Sequence, residues 1–201
     1  EEQFRPWSPD RPFLYDLTVG TTQGQEEDFD TVHSYFALRK WETKPDARGV
    51  LRFFLNEKPI LLNGLLDQGY WPEGLYTPPS DAALVHELEQ VKELGFNLLR
   101  KHAKIEPQRW YYHCDKLGLI VWQDMVYGGA PLKQWYVTYL TNALLPLLRR
   151  TPDGKAFWGL LGRESKASRE EYGQELEATV DALRVHPCIG CWVPFNEGWG
   201  Q

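Results

Sequence analysis

Three cysteines in 201 residues (Cys114, Cys188 and Cys191) are too few, and odd in number, for a disulfide framework. No run of 18 apolar residues occurs, so no segment reads as a membrane-spanning helix. An excess of basic charge is missing too. With 22 Lys and Arg against 28 Asp and Glu, the formal charge is −6. A field for gripping phosphates is therefore absent, which sets nucleic acid aside as a partner. The first residues, Glu1-Glu2-Gln3-Phe4-Arg5-Pro6, carry neither an initiating Met nor a basic-then-apolar leader. They leave the compartment open between cytoplasm, periplasm and secretion.

Aromatic residues are the abundant class: 9 Trp, 10 Tyr and 9 Phe, or 14% of the chain. Aromatics at this density can simply be core. They also suit a carbohydrate site, because the C–H faces of a sugar ring stack on flat π faces. A hydrophobic share of 42% and a charged share of 25% give the usual globular balance and argue against bulk disorder.

Along the chain, residues 1–47 read as β. Turn chemistry at Trp7-Ser8-Pro9-Asp10-Arg11-Pro12 precedes strand formers from Phe13 to Val19, and a second strand is expected from Val32 to Trp41. Two or three strands cannot close a core, so this part reads as the tail of a β domain. From about residue 50 the pattern becomes α/β. Strands are expected at Leu51–Leu55 and in the apolar run Ile60–Leu66, the latter as a buried strand. Ser80 is the expected N-cap of a helix to Leu94, with Leu84, Leu88 and Val91 on one face and Gly95 at its end. Pro107 opens a second helix with the stripe Trp110, Cys114 and Leu117, which Gly118 ends. Two segments repeat one pattern, Lys92-Glu93-Leu94-Gly95-Phe96-Asn97-Leu98-Leu99 and Asp115-Lys116-Leu117-Gly118-Leu119-Ile120-Val121-Trp122. Each is a helix end, a Leu-Gly stop and an apolar strand. A further helix is expected over Leu132–Arg150. A capping box at Ser168-Arg169-Glu170-Glu171 opens another, with Tyr172, Leu176, Val180 and Leu183 on one face, before a strand at Cys188–Val193. Apolar strands separated by single helices define a parallel α/β sheet. Four such units fit the first half of an eight-stranded TIM barrel, and a four-stranded open sheet is the alternative, although no helix follows the last strand to cover it.

In parallel α/β folds chemistry gathers at the carboxyl ends of the strands. Those ends read Asp67-Gln68-Gly69-Tyr70-Trp71, Arg100-Lys101-His102, Gln123-Asp124 and Asn196-Glu197. Any one is explained as a solvated strand end. Four in succession, interleaved with Trp71, Trp122 and Trp199, favour a site. Cys188-Ile189-Gly190-Cys191 has C-x-x-C spacing. On a strand its two thiols point opposite ways and no second pair completes a zinc site, so both read as buried, inert thiols. His86 and His113 fall on predicted helices and read as surface or packing residues.

Asn196-Glu197 after Trp192-Val193-Pro194-Phe195 resembles the acid/base motif of glycoside hydrolase family 2, the family of β-galactosidases, β-glucuronidases and β-mannosidases. The upstream segments agree in order. Ser34–Lys40 resembles the junction between the family's β-sandwich and its barrel, Phe54–Ile60 the barrel entry, Gly95–Arg100 the second strand and Leu117–Asp124 the third. The resemblance implies an immunoglobulin-like β-sandwich ending over residues 1–47 and the first half of a β/α barrel over 48–201. It implies hydrolysis of O-glycosyl bonds by retaining double displacement, with Glu197 as acid/base. Asn196 would bind the sugar 2-hydroxyl, and Arg100 would support the catalytic carboxylates.

The family's nucleophile, a Glu on the seventh strand, falls past Gln201, so the resemblance implies no turnover by these residues alone. Ala103 stands where β-galactosidase-like members have His, flanked by His102 and Lys104. Asp67, Gln68 and Trp71 replace a carboxylate- and His-rich first-strand end. Both departures fall among substrate contacts and leave the sugar undetermined. The expected substrate-binding set is Asn196, Arg100, Asp67, Trp71, Asp124, His102 and Trp199. No cofactor is required and no metal site is expected, although Asp67 or Asp124 could hold a structural divalent cation instead of sugar hydroxyls. The expected partner is a carbohydrate, with neither nucleic acid nor membrane, and a homo-oligomer stays open. Two alternatives use the same rim: a carbohydrate-binding protein without catalysis, and a half-barrel active only as an oligomer.

Overall fold

A computed structural model describes residues 4–21, 30–140, 142–143 and 154–196. The chain begins with an antiparallel pair, β1 (Tyr15–Thr21) and β2 (Asp30–Phe36). A three-stranded antiparallel sheet follows, made of β3 (Trp41–Pro45), β4 (Leu51–Leu55) and β5 (Lys58–Pro59). The remainder is α/β. Strands β6 (Gly64–Asp67), β7 (Leu98–Lys101), β8 (Ile120–Asp124) and β9 (Ile189–Val193) form one parallel sheet in sequence order. Helix α1 (Asp81–Glu93) connects β6 to β7, α2 (Gln108–Leu117) connects β7 to β8, and α3 (Lys166–Leu183) precedes β9. Among the described residues, no helix is long and apolar enough to cross a membrane.

The helices start and stop where side-chain chemistry directs. The Ser80 hydroxyl accepts from the Ala83 N–H, satisfying one orphan donor of α1. Leu84, Leu88 and Val91 on that helix are buried as their spacing predicts. Each such burial contributes roughly 1.5–3 kcal/mol. Gly118 ends α2 at φ +74°, and a Cβ there would lie 2.5 Å from the Pro9 carbonyl oxygen. Only glycine meets both conditions.

The N-terminal segment is part of the same core. Trp7 is fully buried and its indole donates to the Asp115 carbonyl. The Asp115 carboxylate, also fully buried, accepts from the Tyr35 hydroxyl at 2.7 Å, from the Cys188 amide at 2.7 Å and from His186 Nδ1 at 2.7 Å. Strand β2, helix α2 and the entry to β9 thus meet at one carboxyl group. Burial, followed by the bond to Asp115, holds the Tyr35 phenol well above its ordinary pKa, so it stays a donor.

Four expectations need correction. The strand expected over Val32–Trp41 breaks after Phe36, because residues 37–40 bond elsewhere. Leu38 accepts from Trp7, and the Arg39 guanidinium donates to the carbonyls of Pro187 and Ile189. The run Ile60–Leu66 is not a buried strand. Pairing is confined to Gly64–Asp67 at the sheet edge, and Leu61 and Leu66 are 81% and 57% exposed. The third helix is capped by Ser165, whose hydroxyl accepts from the Ser168 amide. Ser168 lies inside the helix and donates instead to the Gly128 carbonyl. Of the helix expected over Leu132–Arg150, Trp135–Leu140 winds as a π-helix, and residues 141 and 144–150 lie outside the described residues.

Candidate active site

Side-chain alternation along β7 sends Arg100 and Lys101 to opposite faces of the parallel sheet. The register pairs Asp67 with Lys101, Arg100 with Trp122 and Asp124 with Val193. Two polar systems result, one on each face, meeting at the carboxyl end of β7.

The face turned toward α2 holds Lys101, which is fully buried. Its ammonium donates to Asp67 at 2.6 Å and to Glu106 at 2.9 Å, and it sits 4.2 Å from the centre of the Trp110 ring. Lys104 pairs with Glu106 at 2.8 Å and donates to the carbonyls of Gly69 and Tyr76. Gln123 accepts from the Tyr111 hydroxyl and donates to the Lys104 carbonyl. Two cations thus face two carboxylates with their donors engaged, the condition under which burying charge is tolerated. The network fixes the ends of the loop after β6, where Trp71 and Leu75 exchange backbone hydrogen bonds and Leu75 is left-handed at φ +54°.

Glu87 borders this network. Burial, with the Asp67 charge as the next cause, raises its carboxyl above the ordinary glutamate range. A raised carboxyl pKa means that the folded state holds its proton longer than the unfolded one, so stability falls as pH rises through that window. Glu87→Gln should therefore raise the unfolding midpoint at neutral pH. The gain should vanish below the ordinary glutamate pKa, which thermal melts across pH would show.

The opposite face carries the candidate site. Arg100 Nε lies 2.9 Å from Asp124 Oδ1 and its Nη2 lies 3.1 Å from Oδ2, a two-point grip on a fully buried carboxylate. The same Nη2 donates to Asn196 Oδ1 at 2.8 Å. Asn196 Nδ2 in turn lies 2.8 Å from His102 Nε2. Asn196 is set beyond β9 by anchors from α3 and the preceding connection. The Tyr172 hydroxyl donates to the Pro194 carbonyl, Phe195 stacks on Tyr172, and the Arg163 guanidinium lies over both rings. Below this cluster Trp122 meets Phe53 of β4 edge-on.

The structure therefore brings together Arg100, His102, Asp124 and Asn196. It does not bring Asp67 to them, since Asp67 points to Lys101 and also accepts from the Gly69 amide. Trp71 is half-buried in the loop after β6. Glu197 and Trp199 lie outside the described residues. Among the described residues, no three His, Cys, Asp or Glu are placed to hold a metal ion. Cys114 and Cys188 are fully buried, and burial pushes both thiols well up. Cys191 is only half-buried, with a smaller rise from burial and then Asp124. Sequence reasoning missed the Lys101–Glu106–Lys104 system and the Asp115 cluster. The first had a signal in the alternating charges of Arg100-Lys101-His102-Ala103-Lys104-Ile105-Glu106. The second joins residues 71 to 80 positions apart and had none.

A parallel sheet with a polar cluster at the carboxyl ends of adjacent strands places the protein among α/β folds with a strand-end site. No protein-family model matches the chain. It is 29% identical over 200 residues to a β-galactosidase of Leuconostoc mesenteroides, which covers 97% of this chain and 16% of that protein. Its fold is similar to that of Parabacteroides merdae β-glucuronidase, with a TM-score of 0.68 and 19% identity over 94% of this chain and 19% of that one. A family 2 β-galacturonidase from Eisenbergiella tayi gives a TM-score of 0.65 at 20% identity, over 94% of this chain and 27% of that one. Sequence and fold thus both make the chain similar to glycosidases, a family 2 enzyme among them. It spans about a sixth of the length of the curated relatives it matches.

Proposed function

We propose that the chain carries half of the catalytic centre of a retaining glycoside hydrolase. In this reading residues 1–47 end an immunoglobulin-like β-sandwich and residues 48–201 form the first half of a β/α barrel, the boundary falling in the turn between β3 and β4. The observation that carries it is Arg100, whose guanidinium grips Asp124 and Asn196 at once across three adjacent strands. That grip sets the residue immediately before Glu197.

Glu197 is the general acid that protonates the glycosidic oxygen and then, as a base, deprotonates water. Asn196 binds the sugar 2-hydroxyl, and Trp71 and Trp199 wall the pocket. Arg100 and Asp124 hold Asn196 in place, while Asp67 acts at a distance by fixing the Trp71 loop through Lys101 and Gly69. The retaining route needs a second carboxylate about 5–5.5 Å from the first as nucleophile. The family resemblance puts that nucleophile outside the described residues, while Asp67 and Asp124 are each held by a cation.

The test is Glu197→Gln in the intact protein. Turnover of glycosides with poor leaving groups should fall by about 10²–10⁴, the usual worth of general acid–base catalysis. Aryl glycosides with activated leaving groups should lose less in the first step, because little protonation is needed there. Unchanged turnover of an unactivated glycoside would exclude Glu197 as the acid. Sugar binding that persists in a parent protein without turnover would favour a non-catalytic binding protein.

A further inference from the structure

His102 is not a neighbour that merely happens to touch Asn196. A guanidinium has donors only, so the Asn196 atom 2.8 Å from Arg100 Nη2 must be the carbonyl oxygen. The amide is planar, which turns its NH2 group toward His102 and makes His102 Nε2 the acceptor at 2.8 Å. The imidazole then carries its proton on Nδ1. Among the described residues, one of the two amide N–H groups is spent on His102 and the other has no acceptor.

The imidazole is itself held in place. The His102 backbone N–H donates to the Asp67 carbonyl at 2.8 Å. Directly after it, Ala103 takes a left-handed φ of +48°, a strained conformation for a non-glycine residue. That turn sends the next side chain, Lys104, back into the buried network, where it bonds Gly69 and Tyr76. His102 and Lys104 therefore face opposite systems, and the buried one fixes the backbone that aims the imidazole.

We infer that His102 is a positioning residue that, against Arg100, locks the Asn196 amide with a donor N–H offered to the sugar. This rests on the glycosidase reading and extends it to a role and a selection rule. The sugar atom meeting Asn196 must be an acceptor. A hydroxyl oxygen qualifies. A deoxy carbon and an ammonium group do not.

The experiment uses the intact protein with 4-nitrophenyl β-galactoside and β-glucuronide and their 2-deoxy counterparts. In His102→Leu the preference in kcat/KM for the 2-hydroxy over the 2-deoxy substrate should shrink about tenfold, on the order of one hydrogen bond to a fixed donor. His102→Gln, whose side-chain oxygen can accept, should restore most of it. In an Asn196→Ala background the same His102 replacements should change nothing further, because the effect passes through Asn196. A purely structural role would slow both substrates alike and leave the ratio intact, which would overturn the inference. An equal loss in the Asn196→Ala background would overturn it too, by showing that His102 touches the sugar itself. If His102→Leu does not fold, His102→Asn, too short to reach the amide, takes its place. Normal turnover of an unactivated glycoside by Glu197→Gln would separately exclude Glu197 as the acid, whatever the His102 variants do.

Discussion

Asp115→Ala should destabilise the protein by about 3–5 kcal/mol, the cost of breaking a buried charged network from one side. The carboxylate is fully buried, and three groups converge on it: the Tyr35 hydroxyl, the Cys188 amide and His186 Nδ1. Removing it leaves the Cys188 amide without its acceptor and the Tyr35 hydroxyl with only His186 Nδ1, 3.1 Å away, in a place water reaches poorly. Each unpaired group costs about 1–3 kcal/mol. Tyr35→Phe removes one donor and leaves the other two bonds, so its loss should be near 1 kcal/mol. Denaturant unfolding of the intact protein, followed by near-ultraviolet circular dichroism, measures both. Equal midpoints for Asp115→Ala and Tyr35→Phe would mean that the carboxylate contributes only through the tyrosine. The same residue fastens β2 to the α/β part, so limited proteolysis of Asp115→Ala should first cut near residues 37–40.

These cases separate what periodicity can show from what it cannot. Ser80, Gly95 and Gly118 announce helix ends because a cap or a left-handed φ is a local requirement, and the structure places them there. The paired Leu-Gly-strand segments gave β7 and β8 to within a few residues for the same reason. Burial is a different matter. Leu61 and Leu66 look like core from composition, yet they lie at a sheet edge and on an uncovered face, which depends on neighbours the pattern does not name. Trp7 sits among turn residues and is nonetheless fully buried, because its indole reaches Asp115, 108 positions away.

The strand-end residues were legible as a group but not as two groups. Which face Asp67 joins depends on register. Parallel pairing sets it opposite Lys101, so its side chain follows Lys101 to the helix face and leaves Arg100 to Asp124. A shift of one residue would have reversed that assignment. Apolar runs such as Leu65-Leu66 and Leu98-Leu99 give no alternation from which to read the register.

Arg100→Met should cost about 1–3 kcal/mol in stability, less than a fully buried pair would, and abolish measurable turnover of unactivated glycosides. The Asp124 side chain is fully buried, whereas that of Arg100 is 36% exposed, so the arginine is the half of the pair that water could partly replace. Methionine fills much of the volume but leaves the carboxylate without its two-point partner and the Asn196 oxygen without its donor. Lysine should not rescue this loss, because a single ammonium cannot span both Asp124 oxygens and the amide. The decisive comparison is Arg100→Met combined with Asp124→Leu. Replacing both members of a buried ion pair by apolar groups is often neutral, so the double variant should recover most of the lost stability. It should not recover turnover, since Asn196 stays unheld and Glu197 follows it in the chain. If the double variant regains both stability and activity, Arg100 serves only to neutralise Asp124, and the grip on Asn196 has no part in the chemistry.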